Sequence, residues 1–469
     1  MAKDKVGKGF FFYFGFFLLI VLAAVLVIFV VMMFMPGTNI MGLQYFTNSI
    51  NKQITQTTDG KDINFSSGNF SSIEINAGYT QVVFQKNNDF QQNGIYLINN
   101  AKGFATSKTA NPFSYSVTMD DNRALKINIT EQNGFIYFSK DAKLIIQISD
   151  TSANPLANTS LIVKNNATVN IGGAVSTGYT HDVAVKNLDI SSGSGDIILS
   201  PHAPKKLGSF KAQTSTGEIF VSHDELTANE TSFVTESGKI TATTLKSPLK
   251  LSSGKGTVHI DTIDGNVDAY GCRDVFMGIG KINGSLSFDK EEEEAKTVST
   301  LSSSVIKIGQ ISGNVFASAA RGSRIEFGTI TGYANVVTST GSIKIDLLSA
   351  DFNISSTSGN IEVAIASGVR KESLVFTQKG KLTIKLPENC SNVKIQNETG
   401  ETYLNMLKNA GYTIKFTYFN SEDVSQFKFD NVSLNMDVEI VNPLKIFGGG
   451  NELRLACNKK IIFSWRESA

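Results

Sequence analysis

The sequence predicts an all-β chain: a parallel β-helix (a β-solenoid) of about 18–22 residues per coil, preceded by one N-terminal transmembrane helix and followed by a β-rich cap. Three observations predict this. An uncharged apolar run fills Phe10 to Met35. Most of the remaining chain consists of short alternating runs rich in Ile, Val, Thr, Ser and Asn, the period of a half-buried strand. A glycine stands before many of those runs, at a nearly constant spacing.

The apolar run reads "FFFYFGFFLLIVLAAVLVIFVVMMFM". As a helix it is about 39 Å long, more than the ~30 Å hydrocarbon core of a bilayer. A signal-peptide core is shorter, about 7–15 residues, and ends in a small-residue cleavage site. Here the chain continues "PGTNIMG", with neither that site nor a lipid-accepting cysteine. The expectation is an uncleaved anchor over residues 10–35. Lys3, Lys5 and Lys8 precede it against one acid, Asp4, and the next lysines are Lys52 and Lys61. Positive-inside bias puts a short tail, residues 1–9, in the cytoplasm and the bulk of the chain outside it. Residues 36–64 read as a linker.

The repeat emerges from the glycines. "SGSGDIIL", "TSTGEIFV", "TESGKITA" and "SGKGTVHI" carry Gly195, Gly217, Gly238 and Gly256; "TSTGSIKI", "STSGNIEV" and "TQKGKLTI" carry Gly341, Gly359 and Gly380. A second series, "TIDGNVDA", "KINGSLSF", "QISGNVFA" and "TITGYANV", carries Gly265, Gly284, Gly313 and Gly332. The two run nine residues apart, Gly256 to Gly265 and Gly332 to Gly341. One coil therefore has at least two corners, with inward Ile, Val, Leu and Phe between them and glycines supplying positive-φ bends. The regular coils span 188–400, after a β-rich N-terminal part at 65–187. The step from Gly284 to Gly313 is long, and "DKEEEEAKTV" inside it reads as a loop insertion at 289–298. A propeller needs a longer period with its own motif, and a sandwich keeps no such beat. Residues 401–469 lose the beat but keep strand patterns such as "YTIKFTYF", which reads as a β-rich cap.

"SSIEINAGYTQVVFQ" at 71–85, "DDNRALKINIT" at 120–130 and "KLIIQISD" at 143–150, together with the run of "S/T-x-G-x-I" coils, resemble the bacterial putative-adhesin family, with its auto-transporter adhesin-like head domains. That resemblance covers roughly residues 65–400. It implies a single-stranded β-helix behind a membrane anchor, and it carries over no catalytic residues.

Chemistry is sparse. The 43 basic and 42 acidic side chains balance, so no electrostatic footprint for nucleic acid exists. Cys272, Cys390 and Cys457 are an odd, scattered set, which describes neither a disulfide framework nor a zinc site. "TSTG" lacks the rest of a phosphate loop, and no helical pattern comes after it. Asp261, Asp264 and Asp268 read as surface and corner residues rather than as a catalytic group. His181, His202 and His223 stand 21 residues apart twice, one coil each, which raises a histidine ladder able to share a metal ion. No cofactor and no small-molecule substrate is expected. The functional expectation is a single-pass, extracytoplasmic, non-catalytic adhesive or scaffolding module. Its partners are the membrane, through residues 10–35, and a cell-wall glycan or surface protein. The alternatives are an envelope sensor or assembly factor working with a membrane partner, and a polysaccharide-active β-helix enzyme.

Overall fold

The computed structural model describes residues 4–33, 35, 39–40, 43–63, 70–87, 94–106, 112–149, 156–172, 185–288, 303–319, 322–367, 372–408, 410–417, 427–430, 442–446 and 450–467. One helix, Asp4–Met33, opens the chain. Its segment Tyr13–Met32 has a mean hydropathy of 3.3 and is nowhere buried, so it is long and apolar enough to cross a membrane.

The body is β-sheet, and it is a solenoid. Each coil gives one strand to each of two stacks, here called face A and face B. Lys206–Thr214 on face A leads into Ile219–Val221 on face B. Each pairs in parallel with its counterpart one coil on: Phe210 with Thr231, and Ile219 with Ile240. Parallel neighbours sit about 4.8 Å apart, so the backbone polar groups of an inner strand find partners in the coils above and below. Side chains alternate as the period requires. Ile219 and Val221 point inward and are 0% and 2% exposed, with Phe220 between them facing out. Phe210 and Phe233, one coil apart, meet edge-on in the core with ring centroids 5.4 Å apart. Each such buried ring or branched aliphatic stabilises the stack by about 1.5–3 kcal/mol relative to exposure.

The corner from face A to face B explains the "T-x-x-G" repeat. The last residue of the face-A strand accepts a hydrogen bond from the amide of the glycine three residues on. Thr214 does this for Gly217 at 3.0 Å, Ser356 for Gly359 at 2.7 Å, Thr377 for Gly380 at 3.1 Å and Asn397 for Gly400 at 2.9 Å. The same side chain donates to the glycine carbonyl one coil back: Thr214 to Gly195 at 3.2 Å, Thr377 to Gly359 at 3.2 Å and Asn397 to Gly380 at 3.1 Å. One buried hydroxyl or amide therefore closes its own turn and stitches it to the preceding one. The structure corrects the expected positive φ. Among the glycines of that series only Gly256 has it, at +131°. What glycine supplies is close approach, since a Cβ on Gly359 would lie 1.6 Å from the Gly341 carbonyl oxygen and one on Gly400 1.8 Å from that of Gly380.

The register agrees with the counted spacing. Arg324 pairs with Ser342, a step of 18, and Asn187 with Ser209, a step of 22. The long step is real in the pairing, since Leu286 pairs with Val315 and Phe276 with Val305. The acidic run 289–298 itself lies outside the described residues.

Both ends of the stack differ from a simple winding. Ser72–Gly78 pairs in parallel with Ala124–Glu131 on one side and Ser160–Asn165 on the other. The chain thus lays down its second level first, runs outward, and hops back. The far end mirrors this. After Thr402–Leu407 the chain forms an outer level with Tyr412–Phe416 and Phe427–Asp430. It then returns, and Asn451–Cys457 and Ile461–Arg466 fill the level between. Most of the stretch expected as a cap is therefore solenoid in an interleaved order. The outermost strands are covered by antiparallel partners: Phe113–Met119 on Ala124–Glu131, and Leu444–Ile446 on Tyr412–Phe416. The expected linker 36–64 is also structured. Leu43–Ile54 pairs antiparallel with Gly94–Ala105, which pairs antiparallel with Phe135–Ser149. An open parallel coil is an unpaired edge that invites association, and these strands close it.

The three cysteines are buried and form no disulfide. Burial pushes the Cys390 thiol up to about 12, and burial outweighs the Thr402 hydrogen bond in raising that of Cys457. A buried neutral thiol is a poor nucleophile. A thiol-reactive chromophore should accordingly titrate no cysteine in the folded chain and all three in denaturant. Rapid labelling of the native protein would contradict this packing.

Candidate binding surface

The outward side of face B carries a built feature on consecutive coils. The strands are Gly256–Ile263, Val275–Ile282, Val305–Ile311, Arg324–Ile330, Ser342–Leu348 and Ile361–Ile365. Register aligns His259, Gly278, Lys307, Glu326, Lys344 and Glu362 in one row. Two residues further along each strand a second row forms from Asp261, Gly280, Gly309, Gly328 and Asp346. Its three glycines stack so closely that a Cβ on Gly328 would lie 2.0 Å from the Gly309 oxygen. The result is a shallow recess of about 350 Å³, floored by glycine backbone and walled by His259, Lys307, Glu326, Lys344 and Asp346. Beside it Phe276 is 47% exposed, two residues before Gly278 and so on the same side of the sheet. A second recess of about 320 Å³ continues along the stack and shares Glu326 and Lys344.

Charges alternate along the row. Lys307 pairs with Glu326 at 3.2 Å, Arg324 also reaches Glu326, Lys344 lies 3.5 Å from Asp346 and Lys385 3.3 Å from Glu362. Burial raises the Glu326 carboxyl, but the Lys307 hydrogen bond and the Arg324 and Lys307 charges outweigh it, so it lies below the ordinary range. Exposed pairs of this kind contribute only about 0–1 kcal/mol each. Their value lies in presenting both signs of charge, with hydroxyls and bare backbone, along one straight surface.

The sequence-predicted residues do not gather into one site. Asp261 faces out on face B, 3.3 Å from His259. Asp264 sits in the next corner, hydrogen-bonded by Asn283, and Asp268 lies on face A in Val267–Tyr270. The three do not converge. His202 and His223 occupy unlike settings, partly exposed and 3% exposed respectively. The register changes between them, from 22 at Leu199–Val221 to 21 at Lys206–Thr227, so the turn shortens by one residue just where the histidines sit. His181, the third member of the expected ladder, lies outside the described residues. Among the described residues no group of three His, Cys, Asp or Glu side chains gathers to hold a metal ion. The glycine floor was the missed feature. Its signal is legible as "FMGIGKI", "VIKIGQI" and "RIEFGTI", which place Gly280, Gly309 and Gly328 alike before an inward Ile.

Residues 70–373, about two thirds of the chain, match the family described as Toastrack DUF4097. No curated protein matches the sequence. Two solved structures are similar. One is of a putative adhesin from Parabacteroides merdae ATCC 43184, with 10% identity, a TM-score of 0.22, and coverage of 73% of this chain and 96% of that one. The other is of a putative adhesin from Bacteroides fragilis NCTC 9343, with 10% identity, a TM-score of 0.17, and coverage of 76% and 97%.

Proposed function

The chain belongs to the Toastrack DUF4097 family, and from that premise we propose that it is a membrane-anchored, non-catalytic surface module that grips an extended glycan along face B. The observation that carries the reading is the recess over Gly280, Gly309 and Gly328. It is straight, runs across successive coils, and is lined by both signs of charge. A polymer of sugars has a matching repeat of hydroxyls and can lie against bare backbone where no side chain stands. Phe276 offers the flat apolar surface against which a sugar ring packs. Cleaving a glycosidic bond takes two carboxyls flanking that bond. Here Glu326, Asp346 and Glu362 each face a lysine partner instead. The apolar segment Tyr13–Met32, with Lys3, Lys5 and Lys8 before it, supports a solenoid that stands outside the cytoplasm.

The test is retention of the full chain, held in detergent micelles, on insoluble cell-wall polysaccharide. Wild type should be retained, and a Lys307→Glu, Lys344→Glu double variant should bind about tenfold more weakly, because like charges then line the wall of the recess. Retention no better than on bare matrix, or a double variant that binds as well as wild type, sinks the reading. Protease-sensitive capture by the polysaccharide's residual protein would move the partner to a surface protein.

A further inference from the structure

We propose that the membrane-proximal tip of the solenoid lies in the lipid interface through a small apolar cluster, Tyr45, Phe104, Ile136 and Phe138, so that the stack rests on the bilayer rather than hanging from it. The proposal rests on the helix being the anchor; the tip is a separate feature of the fold.

The cluster is assembled by the three-stranded antiparallel sheet. Tyr45 pairs with Phe104, and Phe104 with Ile136. The register between Gly94–Ala105 and Phe135–Ser149 slips at Lys102/Gly103: Tyr137 faces Gly103, Ser139 faces Lys102, and Phe138 is the extra residue between. That bulge turns Phe138 onto the outer side, where its ring meets Phe104 edge-on at 4.9 Å. Tyr45 meets Phe104 at 6.0 Å. The inner side has its own set, Phe46 with Phe135 at 5.2 Å and with Tyr137 at 6.0 Å, so the outer rings are surplus to the core. Phe104 is itself buried at the centre of the cluster and Tyr45 is half-buried, while Ile136 and Phe138 remain 53% exposed each. In the described solenoid most large apolar side chains are buried, and exposed ones that adjoin an apolar cluster mark a contact.

The occupant is set by where the chain places this tip. The anchor helix ends at Met33, and Asn39, six residues later, pairs with Gln44 next to Tyr45. Six residues span at most about 22 Å. The headgroup region adds several ångströms beyond the hydrocarbon on each side, so a tip on so short a tether is held at the membrane surface. Its chemistry fits that zone. Tyr79, 60% exposed, lines a recess at the same end with Phe135 and Lys140, and Lys102 stands exposed beside the bulge. Tyrosine and lysine beside apolar rings are the residues that settle at headgroup depth.

The experiment places a fluorophore at the tip of the full-length chain. Trp465 is the one tryptophan and lies at the far end of the stack, in Ile461–Arg466; it is replaced by Phe. Phe138→Trp, and separately Ile136→Trp, are reconstituted in phosphatidylcholine vesicles with and without bromine on the upper acyl chain. Phe316→Trp, an exposed ring many coils away, is the control. Brominated lipid should lower emission from either tip probe about twofold, with a blue shift, and leave the control unchanged, since only a ring at interface depth meets the bromine. Two tip probes guard against one variant misfolding. Vesicle flotation separates the two readings. A chain that floats with both tip probes as unquenched as the control overturns the proposal and leaves the anchor standing. A chain that fails to float overturns both. A blue shift without quenching that vanishes on dilution assigns the patch to a second copy of the chain and also overturns it.

Discussion

Gly359→Ala should lower the stability of the solenoid by about 3 kcal/mol or more, at the upper end of what overpacking costs. The added Cβ would stand 1.6 Å from the Gly341 carbonyl oxygen. The oxygen is backbone and a Cβ is fixed in place by its own backbone, so no rotamer change relieves the contact; two coils must separate. That separation also strains the Ser356 hydrogen bond to the Gly359 amide and its neighbour Thr377, which donates to the Gly359 carbonyl. Ser358→Ala, in the same turn but exposed, should change stability by no more than about 0.5 kcal/mol. Circular dichroism of thermally unfolded full-length chain in micelles reads both. Equal midpoints for Gly359→Ala and wild type would refute the close-approach account of the repeated glycine. Coils contact mainly their neighbours, so a local break in the stack should also broaden the transition.

Ending the chain after Lys408 should convert a monodisperse protein into one that mostly self-associates. The truncation removes both strands that sit on Val393–Asn397 and Thr402–Leu407, and with them the outer level beyond. Leu453, Leu455 and Phe463, all fully buried, are lost, each a contribution of about 1.5–3 kcal/mol. What remains is a bare parallel edge, Val393–Asn397 on one face and Thr402–Leu407 on the other with Leu382–Lys385 behind it, a template for another copy. Sedimentation velocity in micelles compares truncated and complete chains at equal concentration. A truncated chain that stays monodisperse with an unchanged unfolding midpoint would mean that the returning level is not a cap.

Much of the fold was legible in the sequence, for a local reason. Period-2 alternation alone put Ile219 and Val221 inside, and the glycine spacing alone marked two corners and the long step at Gly284–Gly313, because a coil repeats the same short-range pattern each time. The role of glycine was misassigned from sequence. Positive φ is a property of one residue, whereas the actual reason, a carbonyl one coil away, is a contact between residues about 20 positions apart. The two surprises at the ends share that character. Nothing near Ser72 says that it is the second level rather than the first, and nothing near Asn451 says that it slots beneath Tyr412. The histidines show the same limit: His202 and His223 stand 21 residues apart, yet the first is partly exposed and the second buried, a difference that spacing does not carry.

By itself, then, the sequence determined the anchor-like apolar helix, the strand period, the corners and the inward residues, since each depends on neighbours within one coil. The tertiary structure alone decided the order of the levels, the antiparallel strands that close the edges, the glycine floor of face B and the aromatic cluster around Phe104. Each of these arises where segments distant in the chain stack or pair, and the balance of edges to be covered and backbones to be brought close is settled only there.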